Sequence, residues 1–184
     1  MKIESDKLIQ DLEKLTKENI KFAEELKFLD ENTLRYRKDN NSWNVLECLE
    51  HLNRYGDYYL PEIKMQLNKS NFPSERFFKS GWLGNYFANS MLPGAKMKPM
   101  KTFKDKNPLG TSLSVQVIDV FIGQQMKILD LLEQSHKHNL NKIHIKISIA
   151  RWLRIKLGDT FRFVINHNLR HISQIKNILK NRQS

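Results

Sequence analysis

Two of the six histidines, His167 and His171, stand four residues apart in a stretch whose apolar residues recur at helical spacing. On a helix that spacing puts both imidazoles on one face, with Cβ atoms about 5–6 Å apart. The face runs Thr160, Val164, His167, His171, Gln174 or Ile175, and Ile178; it carries no formal charge and borders the apolar side, so it points inward. Two inward imidazoles could hold one metal ion at ~2.0–2.1 Å each. They could also be hydrogen-bonded core residues. A third candidate is His51, on a stripe with Glu47 or Cys48, Tyr55, Tyr58 and Glu62. Three neutral imidazoles and one open position are the usual composition of a catalytic divalent site. His136, His138 and His144 fall in a polar, Asn-rich connection and are expected to be exposed.

Such a centre could act in two ways. It could lower the pKa of a bound water for hydrolysis, or coordinate a thiol as the thiolate for transfer. Either needs neighbours that fix each imidazole tautomer. Glu47, Glu50 and Gln174 are within helical reach of the histidines. Cys48, three residues before His51, is a candidate fourth ligand or reactive thiol, against the blander reading of a buried, inert cysteine. Tyr55, Tyr58 and Trp82 are candidates to line a pocket; aromatic residues at helical spacing also serve as plain core.

Four long helices would have to position these groups. The first, about 4–28, carries Leu8, Leu12, Leu15, Phe22 and Leu26 on one stripe, with Ser5 as its expected N-cap. The second, about 43–68, follows Ser42 as the expected N-cap; Val45 three residues on leaves the Ser-x-x-Glu capping box unmade. Pro61 inside it predicts a kink or break near residues 58–60. The third spans about 112–136. The fourth runs from Asp159, its expected N-cap, to about residue 180. Between those two, Ile143, Ile145, Ile147 and Ile149 alternate with polar residues, which reads as a short extended segment or as a loop with apolar anchors. Residues 70–110 hold four of the five prolines and four of the seven glycines, a long connection of the kind that covers or lines a site. The expected architecture is an all-α four-helix bundle with a long crossover connection, one domain over 1–184 with a loop insert at about 70–110.

Two segments resemble a known family. The run 42–52, Ser-Trp-Asn-Val-Leu-Glu-Cys-Leu-Glu-His-Leu, resembles the Trp-Ser-x-x-Glu-x-x-x-His-Leu signature of the DinB-like (DinB/YfiT) superfamily. The run 166–175, Asn-His-Asn-Leu-Arg-His-Ile-Ser-Gln-Ile, is similar to its closing His-x-x-x-His-x-x-Gln helix. The resemblance implies a four-helix bundle with a crossover connection and a metal centre of three histidines, matched here by His51, His167 and His171. It implies one divalent ion, zinc or nickel, and frequent homodimers. Some members of that family are thiol S-transferases using bacillithiol, mycothiol or glutathione as cosubstrate; others are metal-dependent hydrolases. Asn44 stands where the family often has Ser or Thr, and the central insert is longer than in compact members. A binding protein without turnover is the remaining reading.

Composition narrows the partners. The chain has 184 residues, 40% hydrophobic and 28% charged, enough apolar material for a core. Its one cysteine allows no internal disulfide and no cysteine-based zinc ribbon. Acidic residues stand where a signal peptide needs an apolar run, and no apolar stretch approaches ~18 residues, so a cytoplasmic protein with no membrane partner is expected. The net charge of +11 first suggests nucleic acid. The charge is segregated, however: residues 1–60 hold 10 basic and 13 acidic side chains, the rest 21 and 7. Lys96, Lys98, Lys101, Lys104 and Lys106 crowd the central loop without the interleaved aromatics of a single-strand platform. Solvated loop lysines come first, recruitment of an anionic small-molecule substrate second, nucleic acid last.

Overall fold

The computed structural model describes residues 1–94, 102–148 and 150–182. Lys96, Lys98, Pro99, Lys101 and Ile149 lie outside the described residues. Four long helices form the bundle: α1 (Ser5–Leu26), α3 (Val45–Lys69), α5 (Val117–Ser135) and α6 (Leu157–Arg182). A short α2 (Glu31–Arg35) joins the first two, and α4 (Trp82–Ser90) lies in the long connection between α3 and α5. At 1.5 Å per residue, the 26 residues of α6 span about 39 Å, so one helix can carry both a core face and a site.

Local chemistry sets these ends. α3 starts two residues later than Ser42 suggests, because Asn44 caps it: its Oδ1 accepts from the Glu47 N–H at 2.9 Å, and the Glu47 Oε2 accepts from the Asn44 N–H at 2.9 Å. The reciprocal capping box is therefore present, built on Asn instead of Ser. Ser5 is already inside α1, with Glu4 at the cap position, and its hydroxyl donates to the Glu75 carbonyl. Asp159 likewise lies within the first turn of α6 and is not its N-cap. α3 runs unbroken through Pro61; the expected break is absent.

Among the described residues, two small antiparallel strand pairs flank the helices. β1 (Lys2–Glu4) pairs with β2 (Phe77–Lys79). β3 (His144–Ile147) pairs with β4 (Ala150–Lys156), with Ile145 opposite Ile155, and a bulge falls after Lys146. The isoleucine alternation is thus an extended segment, with Ile145 and Ile147 facing the core.

Among the described residues, the buried apolar side chains form two clusters. One gathers Leu8, Leu12, Tyr59, Ile63, Ile128 and Phe161; the other Leu26, Leu46, Leu49, Phe121, Ile172 and Ile175. Along every long helix the switch between clusters is marked by buried polar side chains: Thr16 and Asn19 on α1, His51 and Asn53 on α3, Gln124 and Gln125 on α5, His167, Asn168 and His171 on α6. The Asn168 amide donates to the Gln125 Oε1 at 3.0 Å, and Gln124 donates to the Asn53 carbonyl at 3.0 Å and to Asp57 at 2.9 Å. Buried amides are tolerated where they find such partners. The histidines sit in this polar layer, between two dry halves of the core.

Candidate metal centre

α3 supplies His51 and α6 supplies His167 and His171, and packing of these two helices brings the three rings together. Their relative exposures are 3%, 6% and 8%. The His167 Nε2 lies 3.2 Å from the His51 Nε2 and 3.0 Å from the His171 Nε2. Two nitrogens bound at ~2.0–2.1 Å to a tetrahedral ion stand about 3.3–3.4 Å apart, so this spacing is close to what an ion would impose.

The hydrogen bonds on the far side of the rings decide which nitrogens are free to ligate. A carbonyl can only accept, so the His51 Nδ1, 2.7 Å from the Lys106 carbonyl, must carry the proton. The His171 Nδ1 donates in the same way to the Gln174 Oε1 at 2.9 Å. In the neutral rings both Nε2 atoms therefore present lone pairs toward the His167 Nε2, and one proton on that nitrogen could satisfy only one of them. Burial keeps the rings neutral. It is the largest cause lowering His51 to about 4 and His171 to about 3, and it holds His167 well below its ordinary value, helped by the two neighbouring histidines. Converging lone pairs in a desolvated pocket fit a divalent cation.

Aromatic side chains collar the donors. The Trp43 ring centroid is 4.7 Å from that of His51 and 5.8 Å from that of His171; Tyr55 is 4.6 Å from His167 and Phe163 is 5.9 Å from it. Burial raises the Tyr55 phenol to about 12, so it remains a neutral donor. The Lys106 carbonyl is held against His51 by straps to α3. The Lys106 Nζ donates to the Arg54 carbonyl at 2.9 Å, Arg54 donates to the Asn107 carbonyl at 3.1 Å, and the Gly110 N–H donates to Glu47 at 2.8 Å.

Several expected roles change. Glu47 does not bond His51 directly: its buried carboxylate is taken up by the cap, by Gly110 and by Arg37 at 3.1 Å, and it bears on His51 only through the strap that carries Lys106. Glu50 pairs with Arg54 at 2.8 Å. Gln174 does reach His171. Cys48 is buried in the apolar cluster with Leu46 and Leu49, where burial pushes its thiol far up, and it is outside the group of converging donors. Tyr55 lines the cavity at the histidines, but Tyr58 packs on Tyr59 at 5.1 Å. Trp82 is 83% exposed on the outer side of α4, whose inward residues are Gly84 and Ala88. His136 and His138 are half-buried, contrary to expectation; the His136 Nδ1 meets Asp6 at 2.8 Å. His144 is exposed.

Trp43, Phe163, Arg170 and the Lys106 carbonyl are the site groups given no role in the sequence. Phe163 stands four residues before His167 and so shares its face, a signal that was available. The centre opens into a cavity of about 950 Å³ reaching Phe87, Met91, Phe103 and Asn177.

The model of the DinB superfamily matches residues 9–175. This chain belongs to the DinB superfamily. Among solved structures it is similar to YfiT from Bacillus subtilis, at 16% identity and a TM-score of 0.56, over 97% of this chain and 87% of that one. YfiT is described as a probable metal-dependent hydrolase with an unusual four-helix bundle topology. At that identity the likeness speaks to the fold, and it agrees with the helical bundle of this DinB-superfamily chain. No curated protein matches it.

Proposed function

We propose that this chain is a metal-dependent enzyme in which His51, His167 and His171 hold one divalent ion, zinc or nickel, and that it transfers a low-molecular-weight thiol such as bacillithiol or glutathione to an electrophile. The observation that carries the metal reading is the convergence of three buried Nε2 atoms, two of them left with lone pairs by their Nδ1 hydrogen bonds. When bound, such an ion acts as a Lewis acid that lowers the pKa of a coordinated thiol or water. The residues of the chain do the remaining work. The Lys106 carbonyl and Gln174 hold two of the rings in orientation. Trp43, Tyr55 and Phe163 keep bulk water from the donor atoms, and the neutral Tyr55 hydroxyl is available as a hydrogen-bond donor to a substrate. A cavity of about 950 Å³ has room for a thiol and a second small molecule together.

Hydrolysis is the second reading, and the likeness to YfiT favours it. Elemental analysis of untagged protein, followed by thiol-consumption and ester-cleavage assays, separates the two. About one ion per chain, with thiol loss that needs both electrophile and metal, is the expected result. Metal-dependent ester cleavage without thiol would move the assignment to hydrolysis. Metal-free protein that takes up no zinc or nickel would overturn both.

A further inference from the structure

We infer that the cavity facing the histidines takes an amphiphilic acid, its anionic group held by Arg170 and its aryl or alkyl body laid on an aromatic wall. This deepens the proposed function by naming the class of the second substrate, and it rests on that reading for its catalytic meaning.

The cavity has two unlike sides. One is a stripe on α6, Arg170, Gln174, Asn177 and Asn181, whose spacings of four, three and four put them on one helical face. The other is a run of rings from the mouth to the metal centre. Tyr86 lies 5.7 Å from Phe87, Phe87 lies 6.5 Å from Phe163, and Phe163 lies 5.9 Å from His167, centroid to centroid. Such separations are those of packed aromatic pairs, so the wall is continuous. Tyr86 and Phe103 are 63% and 51% exposed, which leaves apolar surface at the mouth for a ligand to cover.

Charge sets the polarity of the ligand. Among the described residues, the charged side chains lining the cavity are Lys38 and Arg170, both cationic. Lys38 is exposed at the rim. Arg170 is half-buried beside His171, and its charge acts on both His167 and His171, so it stands at the deep end. A planar guanidinium there, with its five N–H donors and fixed charge, suits a carboxylate or phosphate. Of the loop lysines among the described residues, Lys104 is exposed and Lys106 donates to the Arg54 carbonyl, so the described cation at the deep end of the cavity is Arg170.

The aromatic wall is fixed in advance. Arg162, paired with Asp159 at 3.0 Å, also donates to Asn85 at 3.1 Å and to Asn89 at 3.0 Å on α4. Asn166 donates to the Ala88 carbonyl at 2.9 Å. Gly84 makes this approach possible, since a Cβ there would fall 2.5 Å from the Asp159 side chain. A preformed wall loses little on binding, so affinity should follow ligand chemistry.

Calorimetric titration of the full chain with 4-phenylbutyrate, 4-phenylbutan-1-ol and 4-phenylbutylamine tests the inference, both as purified and after chelation. The acid should bind at least tenfold more tightly than the alcohol in both preparations, with the amine weakest and acetate undetectable. Arg170→Gln should bring the acid to within about twofold of the alcohol and leave the alcohol unchanged, whereas Arg170→Lys should keep most of the preference. An alcohol or amine that binds as tightly as the acid to the native chain would overturn the inference without recourse to any variant. So would an acid preference that disappears on chelation, which would place the carboxylate on the metal, or one that survives Arg170→Gln. Because the ranking is also read on metal-free protein, its failure is distinct from a failure to bind metal.

Discussion

Among the described residues, two places gather metal-capable side chains, and they differ in everything but proximity. His51, His167 and His171 form one group; Glu13, Glu133 and His136 form another, and in each the potential ligand atoms lie within 4.8 Å of one another. The first is buried throughout, its rings are neutral, and two tautomers are fixed by acceptors behind them. The second is half-exposed to exposed, and the His136 Nδ1 is already engaged by Asp6. An ion at the surface group would compete with water and with the contact between the His136 Nδ1 and Asp6. An ion at the buried group would satisfy both lone pairs, of which a single proton on the His167 Nε2 can serve only one. Convergence of donors is common; desolvation with the proton on the far nitrogen is what makes a site.

Removing one histidine from each group should separate the two most clearly. His167→Ala or His171→Ala should reduce bound metal from about one ion per chain to none, while His136→Ala should leave it unchanged, as read by elemental analysis. Retention of metal in the first two would dissolve the distinction. The next effect is on stability. With burial depressing His51 to about 4 and His171 to about 3, the folded metal-free chain resists protonation while the unfolded chain accepts it near 6.5. Stability is therefore full above about pH 6.5 and falls as the pH drops toward 4, by about 3 kcal/mol from His51 alone. Chemical denaturation of the metal-free protein across that range measures it, and a flat profile would contradict the burial of neutral rings.

Gln174→Leu probes the acceptor behind one ring. It removes the acceptor behind His171 and keeps the ligand, so metal affinity should fall about 10- to 100-fold with stoichiometry preserved. Glu47→Ala should do the reverse. It removes the capping box and the anchor for Gly110, costing about 1–2 kcal/mol of stability, and the chain should still bind one ion. Loss of stoichiometry in that variant would restore Glu47 to a role at the metal.

Much of this was legible before the structure because helices write their faces into the sequence. The stripes of α1 and α6 and the i, i+4 pairing of His167 with His171 depend only on the helical period. The approach of His51 needed the resemblance to the family, since no local pattern relates α3 to α6. What stayed hidden depends on backbone groups or on short elements. The partner of the His51 Nδ1 is a main-chain carbonyl 55 residues away, which leaves no side-chain trace. Glu47 was misplaced because its cap is an asparagine two residues beyond the serine that looked suited to the task. Trp82 was misplaced because α4, at nine residues, is too short for periodicity to separate its inner and outer faces. Cys48 shares a stripe with His51 in one dimension, but in three dimensions it falls in the dry cluster next to the polar layer.

Three imidazoles, and no thiolate, are expected to hold the ion. X-ray absorption at the edge of the bound metal in untagged protein tests it most directly. Three imidazole nitrogens at ~2.0–2.1 Å and no sulfur from the protein are expected. A sulfur at ~2.3 Å in protein prepared without added thiol, or fewer than three imidazoles, would contradict this coordination.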